Sequence, residues 1–455
     1  MKYLFVHQNF PGQFLHIVRR LAASPDNDVV FITEPNRNHL RNVRKVAYAR
    51  PGPGYAETHP IARDLDAAGR RAAVVAETAT RLRGLGFEPD IIIGHHGWGE
   101  MLNLRDVWPH VPLLGYMEFF YRTDALDVGF DPEFPTAPAD FPRIRAKNAV
   151  NLIALELGGH GQTPTKWQLS TYPAWAQQRM TLLAEGVDLE TCKPDPAARR
   201  QKLTIGKLAI RPTDRLVTYV ARDLEPYRGF HVVMRAIPHL LRARKDVRVV
   251  LVGGDGVSYG AAPPNGTWRQ HLLAELGPAI DPDRVVFPGR LDYATYVRLL
   301  QRSDAHVYLT YPFVASWSLR EALATGCVVL GSDTQPVREF IEDGCNGLLA
   351  SFFDPKALAR RVLQVLEDRA LSRRLREGAR SYAERTLAMA EYLAAYQALI
   401  ARLTGAEAGS AACRAEQMPT PRAVPHSPAA TGSGTARRVR PVAAPASRVR
   451  DRAAG

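Results

Sequence analysis

Cysteine is scarce in this 455-residue chain: Cys192, Cys327, Cys345 and Cys413 stand far apart, with no CxxC pair and no Cys/His cluster. That spacing argues against a zinc site or a disulfide framework and fits a reducing cytoplasm. Long apolar runs are missing as well. The first, Tyr3–Val6, stops at His7, too short for a signal-peptide core. No stretch approaches the ~18–20 apolar residues that a membrane span needs. No Walker A loop occurs. The expected location is the cytoplasm, with a peripheral position at the inner face of a membrane left open.

Acidic residues are the minority, 46 against 59 Lys and Arg, for a formal charge of +13. Such an excess first suggests nucleic acid, but it is unevenly placed. Residues 411–455 carry eight Arg against Glu416 and Asp451, a net of +6, leaving +7 for all the rest. The tail from about Gly405 is Ala, Pro, Ser, Thr, Gly and Arg with almost no large apolar residue, a composition that predicts disorder. Nucleic acid is therefore not an expected partner. A second basic stretch, residues 37–50 with Arg37, Arg41, Arg44, Lys45 and Arg50, reads as a solvated loop and strand edge or as a dock for anionic lipid.

With 46% apolar residues the remainder can build a core. Short apolar runs alternate with helical patterns throughout. The predicted strands are Tyr3–His7, Asp28–Thr33, Asp90–Gly94 and Leu113–Met117, then Leu216–Val220, Val247–Gly253, Arg284–Phe287, Ala305–Leu309 and Val328–Gly331. Continuous apolar strands are those of parallel sheets covered on both faces. Phe14, Ile17, Val18 and Leu21 recur at helical spacing, and further helices are expected from Phe230 and from about Ser318. The polar, proline-containing stretch 187–203 reads as a linker between two β/α series. The fold class is α/β: two doubly wound parallel-sheet domains facing across a cleft, with ligands at the carboxyl ends of the strands.

The loops at those ends carry the candidate chemistry. Leu309–Gly326 ends a strand and opens a helix near Ser316–Ser318, whose free amides suit a phosphate. Glu321 follows on that helix, where its carboxylate suits a sugar diol. Ala221–Gly229 (ARDLEPYRG) places Arg222 and Arg228 around a Pro turn, apt for one diphosphate, though two solvated arginines read equally well. Leu251–Gly260 (LVGGDGVSYG) looks like half of a dinucleotide fingerprint. The turn holding Gly12 allows backbone to approach a ligand closely. His95-His96 and Glu118 sit at strand ends facing the same expected cleft. Asp64/Asp66 and Asp281/Asp283 have the DxD spacing of metal–diphosphate sites, but neither is expected to hold a metal.

Together these segments resemble the family 4 retaining glycosyltransferases of GT-B fold, over nearly all of residues 1–405. VARDLEPYRG is similar to the family's Arg…Lys phosphate loop, and VVFPGRL, with Arg290, to the turn near the nucleobase. PFVASWSLREALATGCVVLGSD through IEDGCNGLL is similar to the signature helix region. HQNFPGQF and PTKWQLSTYP point to a bacterial subgroup. The resemblance implies an acceptor-side domain at 1–186, a linker at 187–203 and a donor domain at 204–385. A helix at 386–405 would pack back on the first domain, and 406–455 would be a disordered tail.

It also implies roles. Gly12, Arg222, Arg228, Arg290, Ser316, Ser318 and Glu321 would bind the donor, with Arg228 standing where the family usually has Lys. His95 or His96 resembles the acceptor-side His, and Glu118 stands where relatives commonly have His. Arg222, Arg228, Glu118 and His95 are the catalytic candidates. Phe313 replaces the first Glu of the family's E-x7-E motif. The implied activity moves a sugar from a nucleotide diphosphate sugar to an acceptor hydroxyl, on a glycan or a lipid-linked molecule, with retention. No cofactor is expected, the donor being a substrate, and two arginines can stand in for a cation. The alternatives are a same-fold nucleotide-sugar epimerase or glycan phosphorylase, or a non-catalytic sugar-nucleotide-binding or scaffold protein.

Overall fold

The computed structural model describes residues 1–124 and 126–406, so the basic tail lies outside the described residues. Seven strands come first: β1 (Lys2–Val6), β2 (Asp28–Thr33), β3 (Val43–Ala47), β4 (Ile91–His95), β5 (Leu113–Tyr116), β6 (His160–Thr163) and β7 (Met180–Leu182). They form one parallel sheet in the order β3-β2-β1-β4-β5-β6-β7. A small antiparallel hairpin follows, β8 (Leu203–Ile205) with β9 (Leu208–Ile210). The second parallel sheet is built from β10 (Arg215–Asp223), β11 (Val247–Gly254), β12 (Val285–Gly289), β13 (Ala305–Tyr308), β14 (Val329–Ser332) and β15 (Leu348–Ala350). Its order is β12-β11-β10-β13-β14-β15.

The nine predicted strands are all present within a few residues; β3, β6, β7, β8, β9 and β15 were not among them. Period-two alternation explains why both sheets are covered on two faces. In β1, Tyr3 and Phe5 pack with Phe14, Ile17 and Val18 of the first helix. Leu4 and Val6 point the other way, into a core with Val75, Ala79 and Trp108. The final helix, Met389–Thr404, returns to the first sheet, where Tyr392, Tyr396, Leu399 and Ile400 join the core of Tyr3 and Phe5. Fully burying a large aliphatic or aromatic side chain contributes about 1.5–3 kcal/mol, so this helix is held firmly against the first sheet.

The chain crosses between the two sheets at two adjacent points. Val187 N–H donates to the Leu387 carbonyl at 2.8 Å, and Met389 N–H donates back to the Val187 carbonyl at 3.2 Å. A Cβ on Gly186 would meet Met389 Cα at 2.7 Å, so only glycine allows this approach. Elsewhere a segment between β5 and the helix Phe141–Ala146 reaches over the second domain. There Tyr227 donates to Asp127 at 2.5 Å and Tyr311 to Asp131 at 3.0 Å. His231 Nε2 lies 3.1 Å from Asp131, and Arg235 grips Glu133 with both ends of its fork at 2.6 and 2.7 Å. Phe130 and Phe134 pack on the same core.

The basic stretch 37–50 contains edge strand β3. Arg44 pairs with Asp28 at 2.6 Å, Arg50 with Glu34 at 3.2 Å, and Lys45 donates to the Asn38 carbonyl at 2.7 Å. Among the described residues no helix is long and apolar enough to cross a membrane.

Candidate functional site

Strand order reverses beside β1 in the first sheet and beside β10 in the second. At such switch points the adjacent loops diverge and leave a crevice beyond the carboxyl ends. Most candidate residues come from the four strands that flank those two points, while Glu118 follows β5 and Arg290 follows β12. His7 and Gly12 follow β1, and His95 ends β4. Arg222 and Arg228 follow the body of β10, and Thr310–Ser318 follows β13.

On the first-domain side, His95 accepts from the Gly97 amide through Nδ1 at 3.0 Å, which leaves Nε2 directed at Glu118 Oε2, 3.5 Å away. Its ring stacks on Tyr116 at 5.4 Å and meets the His7 ring edge-on at 5.6 Å. The Glu118 side chain is about a third exposed (34%). Burial works to raise its carboxyl, but His95 and then the Arg222 charge hold it below the usual range. His7 accepts from the Asn9 amide at 2.8 Å and is pushed down to about 3 by burial and then by His95, so it stays neutral. His96 turns the other way. A Cβ on Gly115 would collide with its ring, and both ring nitrogens lack a partner among the described residues. The cleft-facing histidine of the pair is therefore His95. Gly12 has φ +54° and a Cβ there would press on the His7 ring at 3.0 Å, so glycine is required at this turn.

On the second-domain side, Arg222 is exposed, and Arg228 is buried at 6% exposure. Both guanidinium groups lie over the Tyr259 ring, at 5.9 and 4.8 Å. Arg228 donates to Thr310 Oγ1 and to the Val314 carbonyl, each at 2.8 Å, which ties the phosphate-loop candidate to the loop before the helix Trp317–Ala324. Ser316 N–H donates to Tyr308 Oη at 2.8 Å, and the Ser316 and Ser318 hydroxyls are 2.6 Å apart. Glu321 accepts from Tyr293 at 2.8 Å and from Tyr296 at 2.7 Å. Burial raises its carboxyl, and the two hydroxyls oppose that rise. Each carboxylate oxygen keeps a lone pair for a further donor. Arg290 pairs with Asp223 at 3.0 Å at the rim.

Phe313 is buried, its ring 4.8 Å from Phe119, 5.2 Å from Tyr227 and 5.1 Å from Tyr259. With Trp167 it forms an aromatic junction between the domains. Glu339 seals the same junction by accepting the Lys166 and Trp167 amides at 2.8 and 2.9 Å.

The glycine-rich loop is not a phosphate cradle. Its Ser258, Tyr259 and Gly260 amides are turned onto the Glu225 carboxylate at 3.1, 3.2 and 2.9 Å. Glu225 is fully buried, and burial raises its carboxyl against the pull of those amides. The residues that sequence reasoning passed over are His7, Glu225, Tyr259, Tyr293 and Tyr296. The only sequence signals were a carboxylate between the two arginines and a tyrosine pair three residues apart.

The DxD candidates are engaged in ordinary structure. Asp66 accepts from Arg70 at 3.0 Å, and Asp281 accepts the Asp283 amide at 2.9 Å. Asp131, Glu133 and His231 bring ligand atoms within 4.8 Å of one another. Their bonds to Tyr311, Arg235 and each other make them a clasp between domains.

Two facing Rossmann-like domains with a loop-lined cleft at their switch points define a GT-B fold. Solved structures agree in architecture. Sucrose-phosphate synthase from Thermosynechococcus elongatus superposes with TM-score 0.67 at 18% identity, covering 89% of this chain and 100% of that one. HepE of Anabaena, in complex with UDP and glucose, gives 0.64 at 16%, covering 88% and 99%.

The glycosyl transferase family 4 group matches residues 25–192, and the glycosyl transferases group 1 matches residues 201–382. The chain belongs to the family 4 glycosyltransferases. It is 29% identical to the D-inositol 3-phosphate glycosyltransferase of Streptomyces avermitilis, over 45% of this chain and 43% of that protein. It is 28% identical to the one of Nocardioides, over 63% and 62%. To the phosphatidyl-myo-inositol mannosyltransferase of Mycolicibacterium smegmatis it is 30% identical, over 34% and 36%. The chain thus spans about half the length of the curated relatives it matches.

Proposed function

We propose that this protein transfers a glycosyl group from a nucleotide diphosphate sugar to an acceptor hydroxyl with retained configuration. The observation that carries the reading is the meeting of Arg222, Arg228 and the start of the helix Trp317–Ala324 at one switch point, opposite His95 and Glu118 at the other. Family membership favours transfer over epimerisation or passive binding.

As the glycosidic bond breaks, negative charge grows on the leaving diphosphate. Preorganised guanidinium groups and helix-start amides stabilise such charge without reorganising. Arg222 is the exposed contact, while Arg228 is held in place by Thr310 and Val314. A leaving phosphate oxygen takes the acceptor proton on the same face, so no protein nucleophile is needed. Glu118, kept ionised beside His95, accepts a hydrogen bond from a sugar hydroxyl. Glu321, positioned by its two tyrosines, takes the ribose diol. Arg290, at the rim, borders the nucleobase. For a lipid-linked acceptor, the exposed Arg37 and Arg41 beside β3 supply the contact to anionic headgroups.

The test is calorimetric titration of UDP-, GDP- and ADP-sugars into the native protein and the Arg222→Ala variant. A charge-assisted hydrogen bond contributes about 1.5–3 kcal/mol, so the preferred donor should bind about tenfold to a hundredfold more weakly to the variant. Equal affinity for both proteins refutes the diphosphate assignment.

A further inference from the structure

The back of the second domain, away from the cleft loops, holds a cavity of about 290 Å³ walled by five arginines, Arg199, Arg215, Arg369, Arg373 and Arg376, against a single carboxylate, Asp304. That carboxylate is already committed. It accepts from buried Arg302 at 2.8 Å and from the Leu216 amide at 2.9 Å, while Arg199 and Arg215 stand farther off at 3.6 and 3.8 Å. Among the described residues Arg376 donates only to backbone, to the Gly326, Ser303 and Asp304 carbonyls at 3.1–3.2 Å. No carboxylate among the described residues pairs with Arg369 or Arg373, both exposed on the first turns of the helix Arg369–Thr386. Ser372 adds a hydroxyl to the same wall. Burial, and then the facing Arg199, push Arg376 down to about 10, as expected where positive charge is crowded and unneutralised.

A folded chain gains nothing from gathering like charges around a void, and guanidinium forks match phosphate oxygens in pairs. A second cavity, of about 500 Å³, shares Arg199, Arg373 and Arg376 with the first. Its remaining walls include Pro194 and Pro196, the Gln301 amide, the Asp195 and Glu377 carboxylates, and Arg380 paired with Glu384. Rings offer apolar contact, and the amide and carboxylate oxygens accept from hydroxyls.

We infer that these adjoining cavities bind a phosphorylated, hydroxyl-bearing small molecule, its phosphate among the arginines and its body against the prolines and Gln301. The site is separate from the cleft and stands or falls independently of the transfer reaction. It is tested with glucose 6-phosphate and inorganic phosphate as probes, titrated calorimetrically into full-length Arg222→Ala protein so that the cleft contributes less. The additional pair Arg369→Gln and Arg373→Gln removes two exposed charges while keeping good helix formers. Glucose 6-phosphate should bind, inorganic phosphate should compete with it, and the added pair should weaken binding at least tenfold. Absence of binding, or an isotherm that the pair leaves unchanged, overturns the assignment.

Discussion

Phe313 is the sharpest test of how this cleft is built. At the position of the first Glu in the E-x7-E motif that the sequence resembles, this chain packs a ring against Phe119, Tyr227 and Tyr259, with the Arg228 guanidinium 5.9 Å from the ring centre. Truncation of a buried Phe to Ala costs about 3–5 kcal/mol, and each aromatic pair lost accounts for ~0.5–1.5 kcal/mol of that. Three pairs are at stake, but the junction lies between domains and can partly collapse, so about 3 kcal/mol is expected for Phe313→Ala. Phe313→Leu keeps most of the volume and should cost less than about 1.5 kcal/mol. Urea unfolding followed by tryptophan fluorescence reads the difference, since Trp167 lies in the same cluster. With a urea dependence of about 3 kcal/mol/M, the alanine midpoint should fall by roughly 1 M and the leucine midpoint by less than half of that. Coincident curves for all three proteins would show that the ring is a surface accident and that the junction carries no stability.

Other expectations concern charge. Arg228→Ala should lower stability as well as donor binding, because it removes two hydrogen bonds of a buried cation, at about 1.5–3 kcal/mol each; a melting curve identical to native would contradict that. Glu118 has a depressed pKa, so its contribution is present above the unfolded value of about 4.3 and is lost as pH falls through the lower folded value. The melting difference between native protein and Glu118→Gln should therefore be largest near neutrality and shrink toward pH 3, and a difference that grows on acidification refutes the sign. Glu225→Ala strands three amides, at about 1–3 kcal/mol each if they stay dry. Amide hydrogen exchange at 258–260 should accelerate at least tenfold, and unchanged protection would show that the carboxylate does not hold the loop.

Much of the scaffold was readable in advance, and what escaped did so for physical reasons. Strands such as Asp28–Thr33 announce themselves because both faces are buried and the run Val29–Ile32 is apolar. Edge strand β3, VRKVA, buries only Val43 and carries charge on its open side, so it read as part of a solvated loop and strand edge with no bounds of its own. Strand β6, HGQT, is interior yet polar, with buried Gln162 and Thr163, and no hydropathy pattern reveals it. At the site, the loops were legible because doubly wound sheets place chemistry at strand ends. The partners that aim the side chains were not: Tyr293 and Tyr296 reach Glu321 from 28 and 25 residues away, and Ser258–Gly260 reach Glu225 from 33 to 35. Such pairings exist only after folding. The glycine-rich stretch misled for the same reason, since its amides already hold an internal carboxylate.

The paired crossings at Val187 and Leu387–Met389 and the clasp at Asp127, Asp131 and Glu133 together have a kinematic meaning. Two bodies joined at those two places alone would keep one rotation, about the line through both. The junction of Phe313 with Phe119 and Trp167, sealed by Glu339, adds a third attachment. While all three hold, the two sheets neither slide nor twist past each other, and His95 and Glu118 keep one register against Arg222.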